Sequence, residues 1–135
     1  MKTQIIPLFK YLCIAFIGFF SPIFYAFILT IILVGADTIT GVMKAGKENV
    51  KNITSKKMFA VCPKLSFYFI LVITAHSVQT YVEPQIPFTK LVLIGISWIE
   101  IKSIDENFNV IFGFSFMDKI LEGIKSINNI KRHND

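Results

Sequence analysis

The sequence predicts an all-α integral membrane protein with three transmembrane helices, or four in the alternative, followed by a C-terminal amphipathic helix. Three observations carry this. The chain is 53% hydrophobic and 17% charged, with a mean hydropathy of +0.60. A soluble protein of 135 residues would be left with more apolar surface than it has polar surface to cover. An uncharged run from Tyr11 to Ala36 is longer than a bilayer core requires, and it stops where a lysine-rich stretch begins. Finally, the net charge of +5 is unevenly placed. Lysines 44, 47, 51, 56, 57 and 64 face a single acid, Glu48, whereas five bases balance five acids from Lys102 to Asp135. That loop is the cytoplasmic flank expected from the positive-inside bias. It lacks arginine and interleaved aromatics, which argues against nucleic acid as a partner.

At this length the chain is one membrane domain. Residues 1–10, apolar around Pro7, read as an interfacial lead-in. Lys2 and Lys10 before the apolar run resemble a signal peptide, but no small-residue cleavage site precedes a polar domain, so the segment is expected to be retained.

Span one is residues 11–36. Its 26 residues would measure about 39 Å as a helix, beyond the roughly 30 Å hydrocarbon core, so the helix must tilt, kink or break. Ser21-Pro22 is the place for it. One kinked span is favoured over two, although two would put Lys2 and Lys10 on the lysine-rich side.

Residues 37–64 form the predicted cytoplasmic loop. Helix can persist for a turn past Gly41 before Gly46 weakens it, and Thr54 or Ser55 is a candidate N-cap for the next helix. Span two is residues 65–82, after Pro63-Lys64. Glu83-Pro84-Gln85 turns the chain on the far side. Span three is residues 86–104, whose apolar centre runs only from Leu91 to Ile99, so Lys90 must snorkel and Glu100 must lie near the inner interface.

Within residues 108–127, Met117, Ile120, Leu121, Ile124 and Ile127 recur at helical spacing among Asp118, Lys119, Glu122 and Lys125. This is an amphipathic stripe for a membrane surface or a partner helix. Residues 128–135 read as a mobile tail.

No catalytic constellation is visible. Ser66, Ser77 and Ser97 lack His and Asp partners, and no Gly-rich phosphate loop, HExxH or paired His/Cys metal spacing occurs, so neither an enzyme nor a cofactor is expected. Cys13 and Cys62 are expected as buried free thiols. His76 is a lone histidine on an apolar helix.

The polar residues that end span one are more informative. Asp37, Thr40, Gly41 and Lys44 fall on one helix face, and Glu100, Ser103 and Asn107 share another on the same side of the predicted membrane. A carboxylate inside lipid is costly without a partner. The matched faces are expected to clamp spans one and three through a network that draws on lysines 44, 56, 57 or 64. Ser66, Thr74 and Ser77 share one broad side of span two; with His76 and Gln79 they are expected either to be sequestered between protomers or to serve ordinary helix packing.

These pieces carry a resemblance. Asp37-xx-Thr40-Gly41 closes an apolar helix and Lys44-Ala45 follows. Thr54-Ser55-Lys56-Lys57 comes next, then an isolated Lys64 opening the next span, then Glu100-xx-Ser103-Ile104-xx-Asn107. Over Leu29 to Asn107 this succession resembles the phage holins of the toxin-secretion/phage-lysis group.

The resemblance implies a small inner-membrane protein that accumulates, forms a homo-oligomer and abruptly opens the bilayer. An endolysin, or in some relatives a toxin, is then released. It marks Asp37, Thr40, Gly41, Lys64, Glu100, Ser103, Glu106 and Asn107 as structural or oligomerisation positions. The phenylalanine-rich N-terminal run and the absence of a dense basic cluster at the C-terminal end depart from the pattern. Two rivals stand beside this reading: a membrane anchor docking a partner through its amphipathic helix, and a subunit of a small-solute channel or transporter.

Overall fold

A computed structural model describes the backbone of residues 2–48 and 59–134 and the side chains of residues 9–48 and 59–126. Among the described residues every regular element is helical. Helix α1, Lys2–Phe20, runs into a 3-10 turn, Ser21–Ile23, and then into α2, Phe24–Glu48. Helix α3 is Val61–Tyr81, α4 is Phe88–Phe112 and α5 is Phe116–Asn134.

The predicted break at Ser21-Pro22 is a bend and not a reversal. Pro22 supplies no N–H, so the hydrogen-bond ladder tightens to 3-10 there. Phe20 and Phe24, on either side, keep right-handed helical dihedrals (φ −83°, ψ −22° and φ −56°, ψ −45°). The chain therefore continues as one bent helix, and its stretch Phe9–Glu48 of 40 residues measures about 60 Å, twice a bilayer core.

The predicted loop 37–64 is shorter than expected. Helix α2 passes through Gly46 to Glu48, and α3 already begins at Val61, with Pro63 tolerated in its first turn because no intrahelical donor is lost there. Lys44, Ala45 and Lys47 are good helix formers, enough to outweigh Gly46. The candidate caps Thr54 and Ser55, together with Lys51, Lys56 and Lys57, lie outside the described residues.

The third and fourth predicted boundaries also move. Helix α4 runs eight residues past Ile104, to Phe112, where Gly113 adopts φ +77° and returns its N–H to the Asn109 carbonyl at 2.8 Å. This left-handed cap is a conformation that costs little only for glycine. Residues 108–112 thus belong to α4 and not to the amphipathic helix. The backbone of residues 128–134, expected as a mobile tail, is helical. No Gly or Pro follows Gly123 to stop it.

Ring and polar contacts give the register. Phe19 meets His76 with ring centroids 5.3 Å apart, Phe27 meets Phe69 at 4.8 Å, and Lys64 meets Asp37. Residue numbers rise on one side as they fall on the other, so α2 and α3 are antiparallel. Asn107 meets Thr40, and Lys47 meets Val110 and Ile111, so α2 and α4 run parallel. The buried apolar core is Ile23 of the 3-10 turn, Ala26 and Val34 of α2, Tyr68, Val72 and Ala75 of α3, and Ile96 of α4. Thr30 is fully buried among them because its hydroxyl donates back to the Ala26 carbonyl at 2.8 Å.

Much large apolar surface stays outside this core. Phe9, Tyr11, Leu12, Ile14, Phe16 and Ile17 of α1 are all exposed, as are Ile31 and Ile32 of α2, Phe67 and Ile70 of α3, and Ile94 and Trp98 of α4. The free thiols Cys13 and Cys62, expected buried, also lie outside the core, Cys13 half-buried and Cys62 exposed. A helix apolar on every side and packed against little protein is what lipid requires, not water. Two helices among the described residues are long and apolar enough to cross a membrane: the bent Phe9–Glu48 helix and α3. Helix α4 has the length, but Lys90, Glu100, Lys102, Asp105 and Glu106 set it apart from them.

Candidate functional site

The three packed helices converge on Lys64. Its ammonium group donates to Asp37 Oδ2 at 2.8 Å and to Glu100 Oε2 at 2.7 Å, bridging α2 and α4 from the first turn of α3. One turn further along α3, Tyr68 Oη donates to the other Glu100 oxygen, Oε1, at 2.6 Å. From α4, Asn107 Nδ2 donates to Asp37 Oδ1 at 3.3 Å and to Thr40 Oγ1 at 3.2 Å, while the Thr40 hydroxyl donates to its own helix at the Asp37 carbonyl. Each of the four carboxylate oxygens thus has a donor.

Burial makes this arrangement consequential. Glu100 is completely enclosed, Asp37 retains 15% of its side-chain exposure and Lys64 retains 31%. Two carboxylates and one ammonium leave a net charge of −1, offset by the Tyr68 and Asn107 hydrogen bonds rather than by a second cation. Such a cluster is chemically a lock. It contains no nucleophile beside a general base, and among the described residues no group of His, Cys, Asp and Glu is placed to hold a metal ion.

The site thus brings together Asp37, Thr40, Lys64, Glu100 and Asn107. Gly41 borders it; a Cβ there would stand 3.7 Å from Asn107 Nδ2, an ordinary contact. Ser103 is half-buried and makes none of the cluster's hydrogen bonds. Glu106 points away, exposed, in a 3.9 Å surface pair with Lys102. The i, i+3, i+4 reasoning put Ser103 on the Glu100 face. Glu100 and Asn107 lie only about 20° apart around α4 and reach α3 and α2 respectively, whereas Ser103, three residues on, is rotated about 60° from Glu100 and falls outside the arc between them. The expected clamp of two segments is a three-helix clamp, with α3 supplying its cation through Lys64.

Two further attachments sit beside the cluster. Lys47 Nζ donates to the Val110 and Ile111 carbonyls, satisfying acceptors that the end of α4 leaves free. Asp105, buried on α4, caps α5: Oδ1 accepts the N–H groups of Phe116 at 2.8 Å and Met117 at 3.3 Å, and Oδ2 accepts the Ser115 hydroxyl at 2.6 Å. Ser115 in turn accepts the Asp118 N–H at 3.0 Å. Burial works against the Asp105 charge, yet the hydrogen bonds from Ser115, Met117 and Phe116 together hold its carboxyl below the ordinary aspartate range.

Tyr68, Lys47 and Asp105 escaped the sequence reading. Tyr68 lies four residues after Lys64, on the same helix face, and that spacing was a usable signal. Ser115-xx-Asp118 after Gly113 marks a helix start, but nothing local says that a carboxylate ten residues upstream completes it. Of the polar residues expected between protomers, Ser66 and Ser77 donate to the carbonyls of Cys62 and Ile73, and Gln79 Oε1 accepts the Thr89 N–H at 3.1 Å. His76 lies against Phe19. Thr74 and Ser66 remain on the exposed face of α3.

Neither the curated proteins nor the solved structures include a match to this chain. A family model does match, over residues 12–129, and those residues carry the bent helix, the Lys64 cluster and the Asp105 cap together. The family is not one of enzymes, and it agrees with a lock of charges embedded among apolar helices: the chain belongs to the bacteriophage holin family.

Proposed function

We propose that the protein is a holin that oligomerises in the bacterial inner membrane and permeabilises it during lysis, giving an endolysin access to the cell wall. Family membership is the observation that carries this reading. The distribution of apolar surface supports it, because α1, α2, α3 and α4 each present large exposed side chains that a bilayer or another copy would cover. In this reading α2, α3 and α4 are the three spans and α1 is a bent extension of the first. The Lys64 cluster registers their lysine-rich ends, and residues 86–104 cross the membrane with Glu100 neutralised inside protein.

Assembly uses faces the protomer leaves open. The exposed stripe of Ser66, Ile70 and Thr74 on α3 combines small polar and apolar groups, as helix contacts in lipid do. Rearrangement of such faces towards water opens the lesion. A toxin is the alternative cargo. The exposed apolar residues Ile120, Leu121 and Ile124 of α5 support the rival in which the chain anchors a partner.

Inducible expression in a bacterium tests the proposal. A holin produces a delayed, sudden loss of membrane potential and viability, and cells lyse when a cytoplasmic endolysin is expressed alongside. Continued growth with an intact potential would overturn the reading in favour of an anchor, and substrate-dependent flux without killing would overturn it in favour of a transporter.

A further inference from the structure

On the face away from the Lys64 cluster, α2 and α4 leave a shallow groove of about 510 Å³, lined by Leu29, Ile94, Trp98 and Ile101, with Lys90 among its lining residues. Its walls are almost wholly hydrocarbon. From Lys90 to Ile101 is eleven helical residues, roughly 16 Å. Gln79, hydrogen-bonded to the Thr89 backbone, ties that end of α4 to the last turns of α3, so Lys90 lies at the far rim of the helix bundle while Trp98 and Ile101 lie deeper.

Lys90 is poorly served by the protein. It is exposed and makes no ion pair among the described residues; Glu83, the acid of the connection between α3 and α4, is not within ion-pair distance. It also stands in the first turn of α4, at the positive end of the helix dipole, which disfavours a cation. An anion at that rim would relieve both costs.

We propose that this groove holds one acyl chain of an anionic phospholipid, with the lipid phosphate against Lys90. The inference rests on the reading that α4 lies in a bilayer, and it is independent of lysis. An aliphatic chain fits a furrow lined by Leu29, Ile94 and Ile101, and a phosphate supplies the charge that the protein leaves out. The lipid would let α4 cross despite its short apolar centre, by holding Lys90 at headgroup depth.

Trp98 is the sole tryptophan of the chain and lines the groove at 60% exposure, so its fluorescence reports the occupant directly. The full-length protein is reconstituted in phosphatidylcholine vesicles carrying a small fraction of either brominated phosphatidylglycerol or brominated phosphatidylcholine. The anionic lipid should quench Trp98 as strongly at roughly one fifth the mole fraction, the scale of one lysine at an anionic surface. Lys90→Gln should erase the difference, while Lys90→Arg and the control Lys102→Gln should retain it.

Equal quenching by the two lipids, or a preference that survives Lys90→Gln, overturns the proposal while leaving α4 in the bilayer. Weak quenching by both that grows as protein is diluted into lipid overturns it in favour of a second copy in the groove. Absence of quenching at every dilution overturns the bilayer reading as well.

Discussion

Lys64 Nζ and Glu100 Oε2 stand 2.7 Å apart across α3 and α4, and Glu100 has no exposed surface at all. A fully buried carboxylate is costly unless such partners hydrogen-bond it. Removing the cation should therefore cost more than removing either acid. Lys64→Ala is expected to destabilise the protein by about 3 kcal/mol, at the low end for breaking a buried pair because Lys64 keeps part of its hydration. Combining Lys64→Met with Asp37→Asn and Glu100→Gln should recover much of that loss. Thermal unfolding in detergent, followed by circular dichroism, measures both; a triple variant no better than Lys64→Ala would show that the charges are not coupled.

Tyr68→Phe isolates the second donor to Glu100. It keeps the ring that packs in the core and deletes only the hydroxyl, 2.6 Å from Oε1. A hydrogen bond to a charged acceptor is worth about 2 kcal/mol, so the unfolding midpoint should fall clearly. An unchanged midpoint would mean that the bond contributes nothing net.

The Asp105 cap predicts a pH dependence of definite sign. Its folded carboxyl lies below the ordinary aspartate range, so the stability it adds is complete above that range and is lost as pH falls through the folded value. Protection of the Phe116 and Met117 amides, expressed relative to the intrinsic exchange rate at each pH, should be high near neutrality and fall in acid. Asp105→Ala should leave these amides weakly protected at every pH. Equal protection in wild type and variant would refute the cap.

Two glycines should respond oppositely to alanine. Gly113→Ala forces a side chain into φ +77° and should cost roughly 1 to 2 kcal/mol, loosening the corner between α4 and α5. Gly41→Ala places its Cβ 3.7 Å from Asn107 Nδ2, an ordinary contact, inside helix α2. It should be tolerated, and the gain in helix propensity should raise stability by up to about 1 kcal/mol. Paired melting curves distinguish them, and a damaging Gly41→Ala would mean that the α2–α4 approach is tighter than this spacing.

Thr89 Oγ1 is buried without a hydrogen-bond partner. Thr89→Val keeps the shape and removes the unsatisfied group, so it should be neutral or mildly stabilising, by roughly 1 kcal/mol. Its unfolding midpoint, compared with wild type, is the check; a clear loss would reveal a partner for that hydroxyl.

How far the sequence reached differs by element. The bend at Ser21-Pro22, the span around Leu65–Tyr81 and the turn at Glu83-Pro84 were legible because proline chemistry and unbroken apolar runs are local. The ends of α2 and α4 were not, since Gly46 was outweighed by its neighbours and Gly113 acts through a backbone angle that other glycines do not adopt. The site divides in the same way. Asp37, Thr40, Lys64, Glu100 and Asn107 announced themselves as polar groups costly in an apolar setting. Glu106 carried the same signal but faces outward, and Asp105, one residue before it, is the buried member.

By itself, then, the sequence determined that the chain is helical, that its long runs belong in lipid and that a handful of polar residues must find partners, because hydropathy and helix period need no knowledge of neighbours. Only the tertiary structure decided which partners they find. Lys64 serves two carboxylates from different helices, Tyr68 completes Glu100, and Asp105 starts a helix eleven residues downstream. Those pairings depend on the rotation and depth at which three helices pack, and these are set by the small core of Ile23, Val34, Val72 and Ile96 acting together rather than by any one segment.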